Sequence, residues 1–438
     1  MILICVNPFL SHFLPTISLA KGLQLVGNEV VYMGFDSTKD FVKQEGFDYI
    51  PLVSCQDEEI QKQKRAHNYD LTEQKFTMLH KEIQEKIRAS GASVILFHIS
   101  RFDIFFIPAF LSKVRIVTYD TSSGSICFNG RIPPSTCSFV PVLPWDIRNI
   151  WFWGKRYIRK VHDLNWKELK RTYPYCEMSR IAQEYHYKWK FCIDGFYLSF
   201  PHIKFSSKEL EFKNHDDILY AGLCVGSAGC GEVQEIKFCK EKTLIYCSLG
   251  TMSYRYLKTG KFLTGLIEIM RKHPELQLII SLGSKNAKLD FENVPSNVTI
   301  FDFVNQNNLL RICDLVITHG GAGTIKECIM NEIPMLVCPS SYDQQGNAAR
   351  VYYHQIGLRN YLLRKTFWER LKKKDIVDID NDLLEAQLIT ILRNPKFKKN
   401  ISEMKSRIIS SDELQNVITY LDRISHDEKG KEKNVREY

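Results

Sequence analysis

Short apolar runs recur along this chain, and segments with helical spacing separate them. ILICV (2–6) comes first, followed by EVVYMG (29–34), YIPLV (49–53), SVILF (93–97) and RIVTY (115–119). The rhythm restarts with TLIYCS (243–248), LQLIIS (276–281), TIFDF (299–303), DLVIT (314–318) and PMLVC (334–338). Strands alternating with helices predict an α/β fold with parallel, doubly wound sheets. At 438 residues the chain is too long for one core and suits two domains. The expected division is 1–222, a glycine-rich linker at 223–235, a second domain at 236–410, and a terminal helix with a charged tail at 411–438. Pro15 suits the first turn of the helix that follows the opening strand. Two open sheets of this kind hold ligands in the cleft between them.

The net charge of +9 is mild for this length. It favours acidic ligands or membrane surfaces slightly and is no nucleic-acid signature. The thirteen cysteines are scattered and form no CxxC pair or metal-ligand spacing. Buried thiols in a reducing compartment are expected, rather than a disulfide framework. The start, MILICVNPFL, has no basic leader region, and no apolar run reaches the ~20 residues of a membrane span. A soluble, cytoplasmic protein is expected. Residues 141–192 break the strand–helix rhythm with aromatic and basic side chains. They read either as an amphipathic helical pair covering the core, or as a greasy ligand-binding wall or a weak membrane-surface contact at 145–175.

THGGAGTIKE (318–327) places a histidine and three glycines where a strand gives way to a helix. A helix start offers unpaired amides and partial positive charge, an arrangement that binds phosphate. Gly320, Gly321 and Gly323 would let a phosphate approach the backbone, Thr324 adds a hydroxyl and His319 a donor. Glu327 lies where it could accept from ribose. Ser248-Leu249-Gly250-Thr251 is a second strand-to-helix loop, and two such loops suit a diphosphate. The run fits neither a dinucleotide GxGxxG nor an ATP-type P-loop. Asp343, Gln344 and Asn347, in PSSYDQQGNAARV, read as a grip on sugar hydroxyls or as turn and capping residues. The DxD triplet within DIVDID (375–380) reads as surface or helix-cap chemistry.

Together these residues resemble the UDP-glycosyltransferase family of inverting, metal-independent enzymes with the GT-B fold. Phe303-Val304-Asn305-Gln306, His319 to Glu327, and Asp343-Gln344 follow that family's donor signature. The wording HGGAGT and DQxxNA is most similar to the bacterial macrolide-type branch. NPFLSHFLPTISLAKGL resembles the family's opening strand, GHxxP turn and first helix, with Ser11 at the usual glycine. The likeness runs over roughly residues 1–425 and is weak near 55–90 and 145–195.

The resemblance implies the following roles. His12 is the catalytic base, although alone it also reads as a satisfied turn histidine. Phe303 stacks on the nucleotide base, and Gln306 holds base or ribose. Ser248, Thr251, His319, Gly321, Gly323 and Thr324 contact the diphosphate, Glu327 the ribose, and Asp343 and Gln344 the donor sugar. Asp103 is assigned as the carboxylate behind His12, with His98 and Asp120 leaving that choice open. The partners implied are a nucleotide-sugar donor, with UDP-glucose expected, and a hydrophobic small-molecule acceptor. No cofactor is implied, because the sugar nucleotide is a co-substrate, and no metal is implied. The rival expectations are a nucleotide-sugar epimerase or hydrolase on the same plan, and a non-catalytic sugar- or lipid-binding protein.

Overall fold

The computed structural model describes residues 1–6, 10–54, 69–128, 133–136, 140, 150–155, 157–158, 173–192, 196–212, 218–225, 238–250, 259–283, 291, 293–340, 343–360 and 380–427. The first half is built from β1 (Ile2–Cys5), α1 (Leu10–Leu25), β2 (Val30–Phe35), α2 (Lys39–Gln44), β3 (Asp48–Leu52), α3 (Tyr69–Ser90), β4 (Val94–His98), α4 (Phe102–Leu111), β5 (Arg115–Asp120), α5 (Tyr175–Glu184), the hairpin β6 (Trp189–Phe191) and β7 (Phe196–Leu198), then β8 (His202–Lys204) and β9 (Leu219–Tyr220). The second half continues with β10 (Thr243–Ser248), α6 (Thr259–Lys272), β11 (Leu276–Ser281), β12 (Val298–Phe301), α7 (Gln306–Leu310), β13 (Leu315–Thr318), α8 (Ala322–Met330), β14 (Met335–Val337), α9 (Gln344–Tyr353) and β15 (Gly357–Arg359). Three helices close the chain: α10 (Asn381–Arg393), α11 (Lys396–Ile409) and α12 (Glu413–His426).

Two sheets carry this order. The first runs β3-β2-β1-β4-β5-β8-β9 and the second β12-β11-β10-β13-β14-β15. Every pairing within them is parallel. The reason lies in the strand sequences, which are apolar at consecutive positions and therefore buried on both faces. Leu3 and Cys5 of β1 join Phe76 and Leu79 of α3 and Phe102 and Phe105 of α4. Ile2 and Ile4 point the other way and meet Phe13 and Ile17 of α1. In the second sheet Leu244 and Tyr246 pack on α8 and α11, while Ile245 and Cys247 pack on α6 and α10. Each fully buried large apolar side chain contributes roughly 1.5–3 kcal/mol.

Some expectations need correction. Pro15 lies inside α1, not in its first turn, because the helix begins at Leu10. Pro15 has no N–H to give the Ser11 carbonyl, one residue before His12. Cysteine pairing was also misjudged: Cys127 and Cys192 form a disulfide, brought together by an antiparallel bridge between their backbones. Cys5, Cys247, Cys313, Cys328 and Cys338 are buried free thiols as expected. Residues 141–149 and 159–172 of the aromatic segment, and 226–235 of the linker, lie outside the described residues. The described part of the aromatic segment is mixed: Trp153 is buried against Phe128 and Phe191, whereas Trp151 is 65% exposed. Asp380, which ends DIVDID, caps α10 by accepting from the Leu383 amide at 2.9 Å. No described helix is long and apolar enough to cross a membrane.

The last helix returns to the first sheet. Val417, Ile418 and Leu421 of α12 sit in the same core as β1 and α1. Gly22 of α1 is a glycine for this reason, since a Cβ there would lie 2.3 Å from Ile418 Cδ1. Asn28 donates to Asp422 at 2.7 Å, and the Arg115 guanidinium donates to the Ile424 and Asp427 carbonyls.

Buried charge joins the two halves. Arg350 of α9 donates twice to one Glu211 oxygen, at 2.9 and 2.5 Å, and both side chains are almost wholly buried. The other Glu211 oxygen accepts from the Gly124 amide at 2.6 Å. Lys326 of α8 donates to the Thr121 carbonyl at 3.2 Å and to the Phe205 carbonyl. Removing one partner of a buried ion pair strands the other in low dielectric. Arg350→Ala should therefore cost about 3–5 kcal/mol in denaturant unfolding, and a loss within the range of surface substitutions would refute this role.

Candidate active site

In each sheet the strand order reverses beside its first strand, so β1 lies between β2 and β4, and β10 between β11 and β13. Ligands of open α/β sheets bind beyond the carboxyl ends of strands at such reversals. Cys5 of β1 is in register with Phe97 of β4, which places the residues that follow each strand side by side. Ser248 of β10 is in register with Thr318 of β13 in the same way. The two sets of expected site residues grow from these two points.

At the first, the rings of His12 and His98 stack with centroids 4.2 Å apart and planes 8° from parallel. Burial pushes His12 down to about 4; Arg101 and Lys326 push in the same direction, and Asp120 pulls the other way. Burial, then His12 itself, hold His98 well below the ordinary imidazole value. Both rings are therefore neutral at neutral pH. Asp120 is the carboxylate that acts on them. Burial opposes its ionisation, but Lys204 and His202 hold its carboxyl well below the usual carboxylate range. Its Oδ2 accepts from Lys204 and from His202, each at 2.8 Å, and its Oδ1 accepts from the Ser122 amide at 2.9 Å. Asp103, the assigned carboxylate, sits in the first turn of α4, where its backbone carbonyl meets His80 Nε2 at 2.9 Å.

At the second point His319 follows β13 and α8 begins three residues later. Gly321 caps α8 with no side-chain hydrogen bond, so its first-turn amides point outward without a side-chain acceptor at the cap. Burial lowers His319 to about 4, against a hydrogen bond with the Ser248 backbone. The glycines divide into two kinds. Gly320 has φ +87°, and a Cβ on it would lie 2.6 Å from Val337 Cγ1. A Cβ on Gly321 or Gly250 would come within 2.7 Å of the His319 ring. These three glycines serve the fold of the turn. A Cβ on Gly323 would meet nothing within 4 Å.

The remaining donor-side residues form two hydrogen-bonded groups. Gln306 donates to Thr324 at 3.3 Å and to the Glu327 carboxylate, and accepts from the Tyr246 hydroxyl at 3.3 Å. Burial raises the Glu327 carboxyl above its ordinary value, with Gln306 working against it. Phe303, just beyond β12, is 56% exposed, as a side chain expected to stack on a ligand would be. In the other group, Asn347 donates to the Gly320 carbonyl at 2.8 Å and to Asp343 at 3.1 Å. Gln344 accepts from the Ser340 amide and hydroxyl at 2.9 and 2.8 Å. Asn347 and Gln344 thus brace the turns, and Asp343 stands at the start of α9 with its carboxyl raised mainly by burial. Thr251 lies outside the described residues.

The two points share charged neighbours. His12 and Asp343, from opposite sheets, both feel Lys326 and Asp120. Sequence reasoning did not find Lys326. A lysine beside Glu327 reads as a solvated charge, and its only signal was its place next to the buried stripe Ile325, Cys328 and Ile329. Nor did it find the Lys204–Asp120–His202 cluster, whose members come together only through the β5–β8 pairing.

Alanine is a better helix former than glycine, so Gly323→Ala should hold or raise the melting temperature. The added methyl should weaken nucleoside-diphosphate binding roughly tenfold by displacing one charge-assisted amide bond. Calorimetric titration with UDP checks this, and unchanged affinity would place the phosphates elsewhere.

Residues 257–404 match the glycosyltransferase family 28 C-terminal domain. Oleandomycin glycosyltransferase of Streptomyces antibioticus is 31% identical over 105 residues, a stretch spanning 24% of each chain. UDP-glycosyltransferase UGT4 of Dactylopius coccus is 25% identical over 423 residues, covering 90% of this chain and 79% of that one. The solved structure of the glycotransferase of kitacinnamycin superposes with a TM-score of 0.64 at 16% identity, covering 97% of this chain and 98% of that one. The second half thus carries a glycosyltransferase family 28 C-terminal domain, and the chain as a whole has the GT-B fold and is similar to UDP-glycosyltransferases.

Proposed function

We propose that this protein is an inverting glycosyltransferase that moves a hexose from a nucleoside-diphosphate sugar to a hydroxyl of a hydrophobic small molecule. The observation that supports the reading is the buried, neutral His12 imidazole, which feels the same Lys326 and Asp120 charges as Asp343 of the second half. In this reading the imidazole faces the acceptor hydroxyl, and the α8 amides with His319 face the diphosphate. His12 takes the proton of an acceptor hydroxyl, and the oxygen attacks the anomeric carbon from the face opposite the diphosphate. The carbon–oxygen bond to the diphosphate breaks, and the configuration inverts. Charge gathering on the departing diphosphate is met by the α8 amides, which are fixed in place before the reaction begins.

UDP-glucose is the proposed donor, with a TDP-linked sugar as the alternative. The proposed acceptor is a bulky apolar alcohol or phenol, supported by relatives named for oleandomycin and kitacinnamycin. Incubation with UDP-glucose or TDP-glucose and a panel of such acceptors tests both halves of the reading. Released nucleotide matched by a glycoside of inverted configuration supports it. Saturable binding without release would make the protein a binder, and release without a glycoside would make it a hydrolase.

Two outcomes follow from the state of His12. His12→Ala should lower turnover by ~10²–10⁴-fold while nucleotide affinity stays near wild type, and retained transfer would remove His12 from the mechanism. The base works unprotonated, and its pKa is depressed to about 4. Its active form is therefore complete at neutral pH and is lost only as pH falls through that value. The acid limb of kcat/KM should lie well below the ordinary histidine value of ~6.5, and a limb at that value would contradict the buried setting.

A further inference from the structure

The geometry points to His98 as a positioning residue, one that fixes the plane of the His12 ring by face-to-face stacking. The inference rests on the reading of His12 as the base. His98 ends β4, and its ring lies flat on His12 at 4.2 Å with 8° between planes. Its other sides are held as well. The Ser100 amide donates to His98 Nδ1 at 3.2 Å, and the Ser100 hydroxyl lies 2.7 Å from the same nitrogen. Nδ1 is thus an acceptor, and the proton of the neutral ring sits on Nε2. Tyr119 of β5 meets the ring edge-on at 5.3 Å and 86°. A ring so clamped cannot turn without breaking one of these contacts, and it presents one face to His12.

Asp120 does not take this role. Its oxygens are engaged by His202, Lys204 and Ser122, so its negative charge is largely answered before His12 is reached. The charged and titratable groups around the stacked pair are Arg101 from the turn after β4, Asp120 from β5, His202 from β8 and Lys326 from α8. Three of these four are cationic or can become so, and they disfavour an imidazolium. The stack supplies orientation, and its neutral π face accepts the transient cation on His12.

The test compares His98→Ala, His98→Phe and His12→Ala by steady-state kinetics over pH, UDP titration and melting temperature. His98→Ala should lower kcat by about 10²-fold through misplacement of the base, with donor KM and UDP affinity near wild type. Water entering the vacated space should move the acid limb of kcat/KM upward, because burial is the main cause of the low value on His12. His98→Phe keeps a flat ring and should recover most of the rate, with the limb at its wild-type place. Wild-type turnover in His98→Ala overturns the inference. So does a folded, UDP-binding His98→Phe that is as impaired as His98→Ala, since that outcome assigns the effect to a ring nitrogen. An active His12→Ala would instead defeat the reading of the base itself.

Discussion

Lys326 leaves α8, the helix at the proposed diphosphate site, and ends on two carbonyls of the first half. Those carbonyls, of Thr121 and Phe205, directly follow Asp120 and Lys204, the ion pair at the ends of β5 and β8. One ammonium therefore sets the donor-side helix in register with the strands that carry the proposed base's surroundings. The cost is visible in its titration. Burial lowers Lys326 to about 8, with Cys224, Asp120 and Asp343 pulling upward and Lys204 pushing down. A depressed lysine works against folding while it is charged. That penalty is fully present below pH 8 and fades as pH rises from there toward the free-lysine range. The placement is thus bought with stability, and the buried Arg350–Glu211 pair has the same character.

The chemistry on the two sides is alike in one respect. His12 and His319 are both kept neutral by burial; His12 lies in the first turn of α1, the helix after β1, and His319 just past β13, and in each sheet the strand order reverses at that strand or its neighbour. The parallel registers of β1 with β4 and of β10 with β13 bring distant loops together there. The stacked histidines and the turn around His319 are each products of a neighbouring strand pair. The glycines confirm this on the donor side, because Gly250 and Gly321 come from different loops and both make room for the same imidazole.

Much of this was legible in the sequence, and the reason is periodicity. Long apolar runs such as TLIYCS and LQLIIS became strands at the expected places, since nothing else buries consecutive apolar residues so cheaply. The turn at 318–327 was legible because glycine density at a strand end has few causes. The short strands β8, β9 and β15 were not foreseen, since two or three residues carry no period. Asp120 was one of three candidates in sequence, and only the β5–β8 pairing shows what it binds. The Cys127–Cys192 link depends on a bridge between segments 65 residues apart, which spacing alone does not disclose. The contacts of Gln344 with Ser340 and of Asn347 with the Gly320 carbonyl are set by loop geometry that residue spacing does not disclose.

The return of α12 to the first sheet has a consequence for how the molecule is made. Val417, Ile418 and Leu421 are buried in the core that Ile2 and Ile4 begin. In topological terms the second domain is an insertion within the first, entered near Gly222 and left near Asp412. A ribosome delivers residues in order, so the first domain waits with one apolar flank uncovered while the second is synthesised. Its core closes only when α12 emerges, so the packing begun by β1 is completed after the inserted domain has been made.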